Sequence, residues 1–447
     1  MRAQKRCVTC GLVLLTATIT LSSCSLPSVV PTALWADVHP QGWVVFTGAR
    51  PPFPPPTAQS YYDDKLLLFH PYLGITATLL EDPRESFSSP RWLATPDVDE
   101  LFWVASQQKI YAMAVSFAEI ERIISEPLQS TLPLSLQDAR LLWAEESGVI
   151  HSLAPSPDGR FLAFLREESG QFTVVVLDTE STPVQKVAEL STVWLPQIVW
   201  DSFGKSVFVV REARDVTVGN SKLHVGEIIS HEIATGHERT LVDDIVSYRT
   251  PPQGSEAAPG PLALSPDGQT LYYTTLLALP PRTAQEFRLG LYSVELVSGA
   301  RRLLVELSPG EALQELAVAP GGRRLAFTTT SLRLGVTWSL HSALTVLEGT
   351  QVRQLAQQTN GWLFPLWLDD THLAYVQFAP EHSGDSEQLP TGVRPALWVQ
   401  DVETHERSNY LPMLAMQMQL DSLRAAVRRL QERIEALEKA VQELQAR

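Results

Sequence analysis

Cysteine is nearly absent from this chain, with three in 447 residues. That excludes a disulfide-dense scaffold. Basic charge is also in deficit: 35 Lys and Arg stand against 50 Asp and Glu, for a formal net charge of −15. A generic nucleic-acid binder needs a basic surface, so no nucleic-acid partner is expected. No apolar run reaches the roughly 20 residues that a spanning helix needs. What is present is apolar content of 44% spread over a long chain. Such a chain can bury a large core, which excludes disorder as its main state.

The first 24 residues read as an address. Arg2, Lys5 and Arg6 form a positive start, and a Thr-rich apolar stretch follows from Cys7 to Leu21. This order is that of a secretory signal. It closes on Leu21-Ser22-Ser23-Cys24, which resembles the lipobox of bacterial lipoproteins. The resemblance implies a signal over residues 1–23, a diacylglyceryl group on the Cys24 thiol, and a lipidated tether over 24–34. The expected place is the outer face of the cell membrane, or the outer membrane in a diderm. Cys7 and Cys10 form a C-x-x-C pair that redox or metal chemistry can use. They fall in the segment expected to be removed.

The body is a repeat. Ser156-Pro157-Asp158-Gly159 precedes the apolar run Phe161 to Phe164, and Ser265-Pro266-Asp267-Gly268 precedes Leu271 to Tyr273. Ala319-Pro320-Gly321-Gly322 before Leu325 to Phe327 is a third copy. Weaker copies centre on Gly42, Val98, Gly204 and Asp370, and successive spacings are 56, 61, 45, 64, 54 and 48. Pro presets φ for a turn, Asp bonds its neighbouring backbone, and Gly takes the positive-φ position. Asp158, Gly159, Asp267, Gly268 and Gly322 are therefore expected to be structural turn formers. Each turn has a short apolar run ahead of it, such as Ile198 to Trp200, and two more strand-like pieces follow the hairpin. Four strands per unit, repeated radially, make a β-propeller blade.

Ser-Pro-Asp-Gly followed by an apolar strand resembles the TolB-type, WD-like propeller repeat, also found in the propellers of prolyl-oligopeptidase-type enzymes. The resemblance spans roughly residues 35 to 411. It implies an all-β propeller of seven four-stranded blades, with six and eight as alternatives. Units of this length call for extended loops, expected at Pro51 to Asp64, Ile123 to Ala144, Thr250 to Pro261 and Pro380 to Arg394. The chain departs from both families. TolB carries an α/β domain ahead of its propeller, whereas about a dozen residues separate Cys24 from the first strand here. The hydrolase relatives carry a G-x-S-x-G elbow. The nearest runs, from Gly204 and from Gly219, do not end in Gly. No catalytic residue is carried over.

Other chemistry is thin. His231-Glu232 lacks a second His four residues on, and the ten histidines show no metal-ligand spacing. His231 and His237 read as exposed residues at strand ends. The pairs Asp63-Asp64, Asp243-Asp244 and Asp369-Asp370 sit in no Gly-centred calcium loop. No metal or other cofactor is expected. Eleven Trp residues can line a channel for a glycan or peptide. Trp200 and Trp367, just ahead of repeat turns, read instead as packing between blades.

From residue 414 the composition changes, with no Pro or Gly. Leu420, Val427, Ile434 and Val441 alternate with Met416, Leu423, Leu430, Leu437 and Leu444 in steps of four and three. This is a heptad seam, so residues 414–447 are expected to form a long α-helix in a left-handed coiled coil. Mostly β-branched residues at one seam position and Leu at the other favour a parallel dimer. Arg433 to Glu438 also resembles the pattern of three-stranded parallel coils. A parallel homo-oligomer, dimer or trimer, is expected.

The signal holds three basic side chains and no acidic one, and residues 414–447 hold six and five. That leaves 26 basic and 45 acidic residues between them. An anionic membrane surface repels such a body, which favours a propeller held upright on its lipid. The function expected is non-enzymatic binding of an envelope protein, or of a peptide or glycan ligand, by a lipid-anchored scaffold. The alternatives are a propeller enzyme of glycosidase, lyase or lactonase type with carboxylates in its channel, and a spacer whose coil is the working part.

Overall fold

The computed structural model describes residues 36–409, apart from the segments 48–64, 73–74, 83, 96–98, 119, 121–135, 194–196, 219–220, 250–255, 258–259, 278–287, 335–337, 360–362 and 382–391. Cys24, the tether and the seam from Met416 to Leu444 lie outside the described residues. Seven antiparallel sheets follow one another along the chain, each made of strands consecutive in sequence. Six have four strands. Blade four has a fifth, Glu256–Ala257, which pairs through Tyr248↔Ala257. The blade count is thus seven, not six or eight.

The first strand of each sheet is the innermost. In order these are Ala36–Val38, Phe87–Ala94, Val149–Pro155, Val199–Trp200, Ala263–Leu264, Glu311–Val318 and Phe364–Trp367. Inner strands of successive blades lie against one another from blade one to three and from four to seven, and the seventh returns to the first; blades three and four meet through Gln185–Thr192 and Ser206–Val218. Each pairs with a neighbour on one edge only, so its other edge presents backbone groups to a central channel. Blade one is built wholly from the start of this range and blade seven wholly from its end. The ring therefore closes without a shared strand. At that junction the Tyr72 hydroxyl donates to Asp369, and its ring meets His372 edge-on at 5.4 Å.

Blades pack face to face through apolar layers. One cluster joins blades three, four and five through Leu165, Val209 and Tyr273, and another joins blades six and seven through Leu344 and Tyr375. Closed apolar layers of this kind supply the main stabilisation of a propeller. Trp200 and Trp367 are buried between blades. Their indole N–H groups donate to Ala154 O at 2.9 Å and Ala317 O at 3.1 Å on the preceding blade.

The repeat turns join the first and second strands of a blade. Gly159 N donates to Ser156 O at 2.9 Å, and Phe161 N donates to the Ser156 hydroxyl at 2.8 Å. That hydroxyl donates to Asp158 Oδ1 at 2.5 Å. Ser265, Asp267 and Gly268 repeat the set. Gly159, Gly268 and Gly322 have φ of +78°, +69° and +74°, where a side chain is strained. The turns also stack around the ring. A Cβ on Gly268 would lie 2.4 Å from Ser202 Oγ of blade four, and one on Gly322 3.4 Å from Pro266 of blade five.

Three of the expected loops need correction. Arg140–Ala144 is the outer strand of blade two, held because Leu142 is buried in its layer. Glu256–Ala257 lies within the Thr250 to Pro261 segment. The last long loop is shorter than expected, because strands extend to Glu381 and resume at Gly392. The Pro51 to Asp64 segment lies outside the described residues.

Candidate functional site

The inner strands place three charged side chains about the channel. Counted back from each repeat turn, one position recurs four residues ahead of its first residue. Arg91 occupies it in blade two, Ser152 in blade three, Glu315 in blade six and Phe364 in blade seven. Asp37 sits two residues ahead of the turn in blade one. In blades two, three and six the pairing register shifts just before this position: between Ser88 and Arg91, opposite Leu165 and Arg166, and between Leu313 and Glu315. Bulges re-aim side chains and are enriched beside functional sites. Ser89, within the first of these, has φ of +49° although it is not glycine. It is held there by a 2.7 Å bond from its hydroxyl to His151 O. Strain of that kind is retained where surrounding structure fixes it.

Arg91 spans three blades. Its Nε donates to Leu153 O at 3.1 Å and its Nη1 to Ala36 O at 3.3 Å. Both acceptors are backbone carbonyls of neighbouring inner strands. Nη1 lies 3.9 Å from Asp37 Oδ1, and Asp37 Oδ2 accepts Trp92 N–H at 2.7 Å. Burial pushes the Asp37 carboxyl above its ordinary range, and the Arg91 charge pulls it back only in part. Glu315 is half-buried. Burial pushes its carboxyl up to about 7, with the field of Arg91 opposing. The charge of Arg91 on blade two is thus felt at Glu315 on blade six. Among the described residues no hydrogen bond to the Glu315 carboxyl is found. A carboxyl that titrates near neutrality can take up or release a proton under ordinary conditions.

A second group lies beside the first turn. His39 is buried, with Nδ1 accepting Gln41 N–H at 3.1 Å. Nε2 therefore carries the proton and donates to Asp99 Oδ1 at 2.8 Å. Phe117 and Trp92 enclose the ring, with centroids at 4.6 and 5.5 Å. His39 replaces the turn serine of the full repeats and ties blade one to blade two, which is a packing role.

The remaining candidates fall into structural places. Asp158 and Asp267 accept bonds within their own turns. Asp243 and Asp244 both pair with Arg301, at 3.1 and 2.6 Å. His237 is exposed as expected, but His231 is not: its side chain is 12% exposed and its Nδ1 lies 3.4 Å from Glu238 Oε1. Its partner Glu238 lies directly opposite on the paired strand. Among the described residues no group of three or more His, Cys, Asp or Glu side chains can hold a metal ion. Among them, too, no helix is long and apolar enough to cross a membrane. Sequence reading missed Asp37, Arg91 and Glu315. For Arg91 and Glu315 the signal was there in their shared offset from the turns, where a charge interrupts a run that should be apolar; Asp37, two residues ahead of its turn, carried no such signal.

No family model and no curated protein matches this chain. Solved structures do. The β-propeller domain of the trilobed protease from Pyrococcus furiosus, described as having an open velcro topology, aligns with a TM-score of 0.50 at 13% identity. The alignment covers 85% of this chain and 96% of that one. A puromycin-hydrolysing peptidase from Mycobacterium tuberculosis aligns with a TM-score of 0.50 at 12% identity, over 87% of this chain and 55% of that one. A putative TolB from Agrobacterium tumefaciens aligns with a TM-score of 0.39 at 15% identity, over 67% and 93%. At these identities the likeness bears on the fold alone, a β-propeller, and the sheets themselves make it seven-bladed and closed without strand exchange.

Proposed function

We propose that this chain is an exported, lipid-anchored propeller that binds a partner at its central channel without turning it over. Lipid on Cys24 holds it to a membrane, and residues 414–447 join copies in parallel. Closed blades give a rigid frame, and groups fixed on such a frame bind with little ordering cost. The observation that carries the reading is the channel group: Asp37 and Arg91 paired on one wall, and Glu315 across from them without a hydrogen bond among the described residues. Association on a surface also raises the effective concentration of each channel for a multivalent partner.

The test is site-specific photocrosslinking in cells making the full chain. A photoreactive side chain at Phe364, on the inner strand of blade seven, is expected to capture a partner. The same group at the exposed Val187, on the outer strand Gln185–Thr192 of blade three, is expected not to. Absence of capture at Phe364, or equal capture at both, overturns the reading. The enzymatic alternative draws on the same Glu315, whose carboxyl titrates near neutrality as a general acid or base needs. It requires that the captured molecule be chemically changed, and that Glu315→Gln stop the change while capture persists.

A further inference from the structure

We propose that the channel takes a primary ammonium group, seated on Glu315 and on backbone carbonyls of the inner strands, beside Phe364. The inference rests on the reading of the channel as the binding site and names the chemistry bound there.

The channel already shows how it receives a cationic nitrogen. The Arg91 guanidinium is placed by Leu153 O and Ala36 O, carbonyls on the strand edges that no neighbouring strand pairs. Every inner strand has such an edge, so acceptors recur around the axis. Arg91 is committed on blades one to three, where it also faces Asp37. Glu315 stands at the same offset from its turn on blade six and receives no hydrogen bond among the described residues. The channel group therefore carries two carboxyl groups and one guanidinium. A carboxyl partly withdrawn from water without a partner bears part of its desolvation cost. A cation brought by a ligand removes that cost by supplying the missing donor.

A primary ammonium fits better than the alternatives. It has three N–H donors on one atom, which match one carboxylate and the strand-edge carbonyls. A hard metal ion needs six or more oxygens around it, and no metal-binding group is found among the described residues. An anion would meet two carboxyl groups beside the single guanidinium. Phe364 stands at the equivalent offset on the adjacent blade, and an aromatic face favours an organic cation.

The test uses the full chain in detergent, with hexylamine as probe and hexanol and calcium chloride as controls. Hexylamine is expected to raise the thermal midpoint in a saturable way, and the controls are not. Glu315→Gln is expected to weaken the hexylamine response at least tenfold while the unliganded protein still melts cooperatively. Should that variant not fold, Phe364→Leu is expected to weaken hexylamine at least threefold. No response in the wild type, or an undiminished response in the folded variant, overturns the inference. Partner capture at Phe364 without hexylamine binding sinks the ammonium inference alone. Failure of both sinks the channel reading as well.

Discussion

Glu315→Gln tests the channel through stability rather than binding. The Glu315 carboxyl rises from 4.5 to about 7 in the folded chain because burial disfavours its charge. Between those values the folded state keeps a proton that the unfolded state has released. Stability from this group is therefore greatest below about pH 4.5, falls as pH rises toward 7, and is level above. A shift of that size corresponds to about 3 kcal/mol at 1.36 kcal/mol per unit. Gln is neutral throughout and of similar shape, so the variant lacks this slope. The gap in unfolding free energy between wild type and variant is expected to move by about 3 kcal/mol between about pH 4 and pH 8, in favour of the variant at the higher pH. Urea titration followed by tryptophan fluorescence reads it. All eleven Trp residues precede residue 414, so the signal reports the propeller and not the C-terminal segment. A gap that does not change with pH would mean that water reaches Glu315 freely, and the channel argument would fall with it.

Other perturbations address the frame. Gly204 and Gly236 have φ of +70° and +69°, but a Cβ on Gly204 would lie 2.5 Å from Asp158 Oδ1 whereas one on Gly236 meets nothing within 4 Å. Gly236→Ala should cost about 1 kcal/mol from backbone strain. Gly204→Ala should cost at least twice that in urea unfolding, and equal costs would refute the stacking of turns around the ring. Trp200→Phe removes the indole bond to Ala154 O, with an expected loss of about 1 kcal/mol in the same assay. Tyr72→Phe removes the bond that closes blade one on blade seven. Burial raises the Asp369 carboxyl, but the Tyr72 hydroxyl and the Thr371 and His372 N–H groups outweigh it and hold it well below the usual range. That stabilisation is present above the ordinary carboxylate value and is lost as pH falls through the depressed one. The variant should lose about 1 kcal/mol at neutral pH, and its Asp369 should titrate at higher pH by carboxyl NMR.

The repeat turns were legible in the sequence because Pro, Asp and Gly each act locally. The same bonds recur at Ser156 and Ser265, wherever the four residues recur. The outer strands were less legible. Arg140–Ala144 carries no turn signal of its own and is held by the burial of Leu142, a tertiary effect. Asp37, Arg91 and Glu315 were invisible as a group, since they lie far apart in sequence and on three different blades. Only superposing the repeats on their turns brings Arg91 and Glu315 to the same offset, and only ring closure brings them within each other's field. His231 misled for a related reason. Its place near a turn suggested exposure, while strand pairing sets it opposite Glu238.

The anchor decides most directly between a displayed binder and a free one. Full-length protein drawn from membranes in detergent and weighed by native mass spectrometry is expected to begin at Cys24 with a diacylglyceryl mass on that residue. It is expected to assemble as a dimer or trimer that falls to monomers when residues 414–447 are removed. A monomer that begins elsewhere, or one with a free Cys24 thiol, contradicts the anchored propeller.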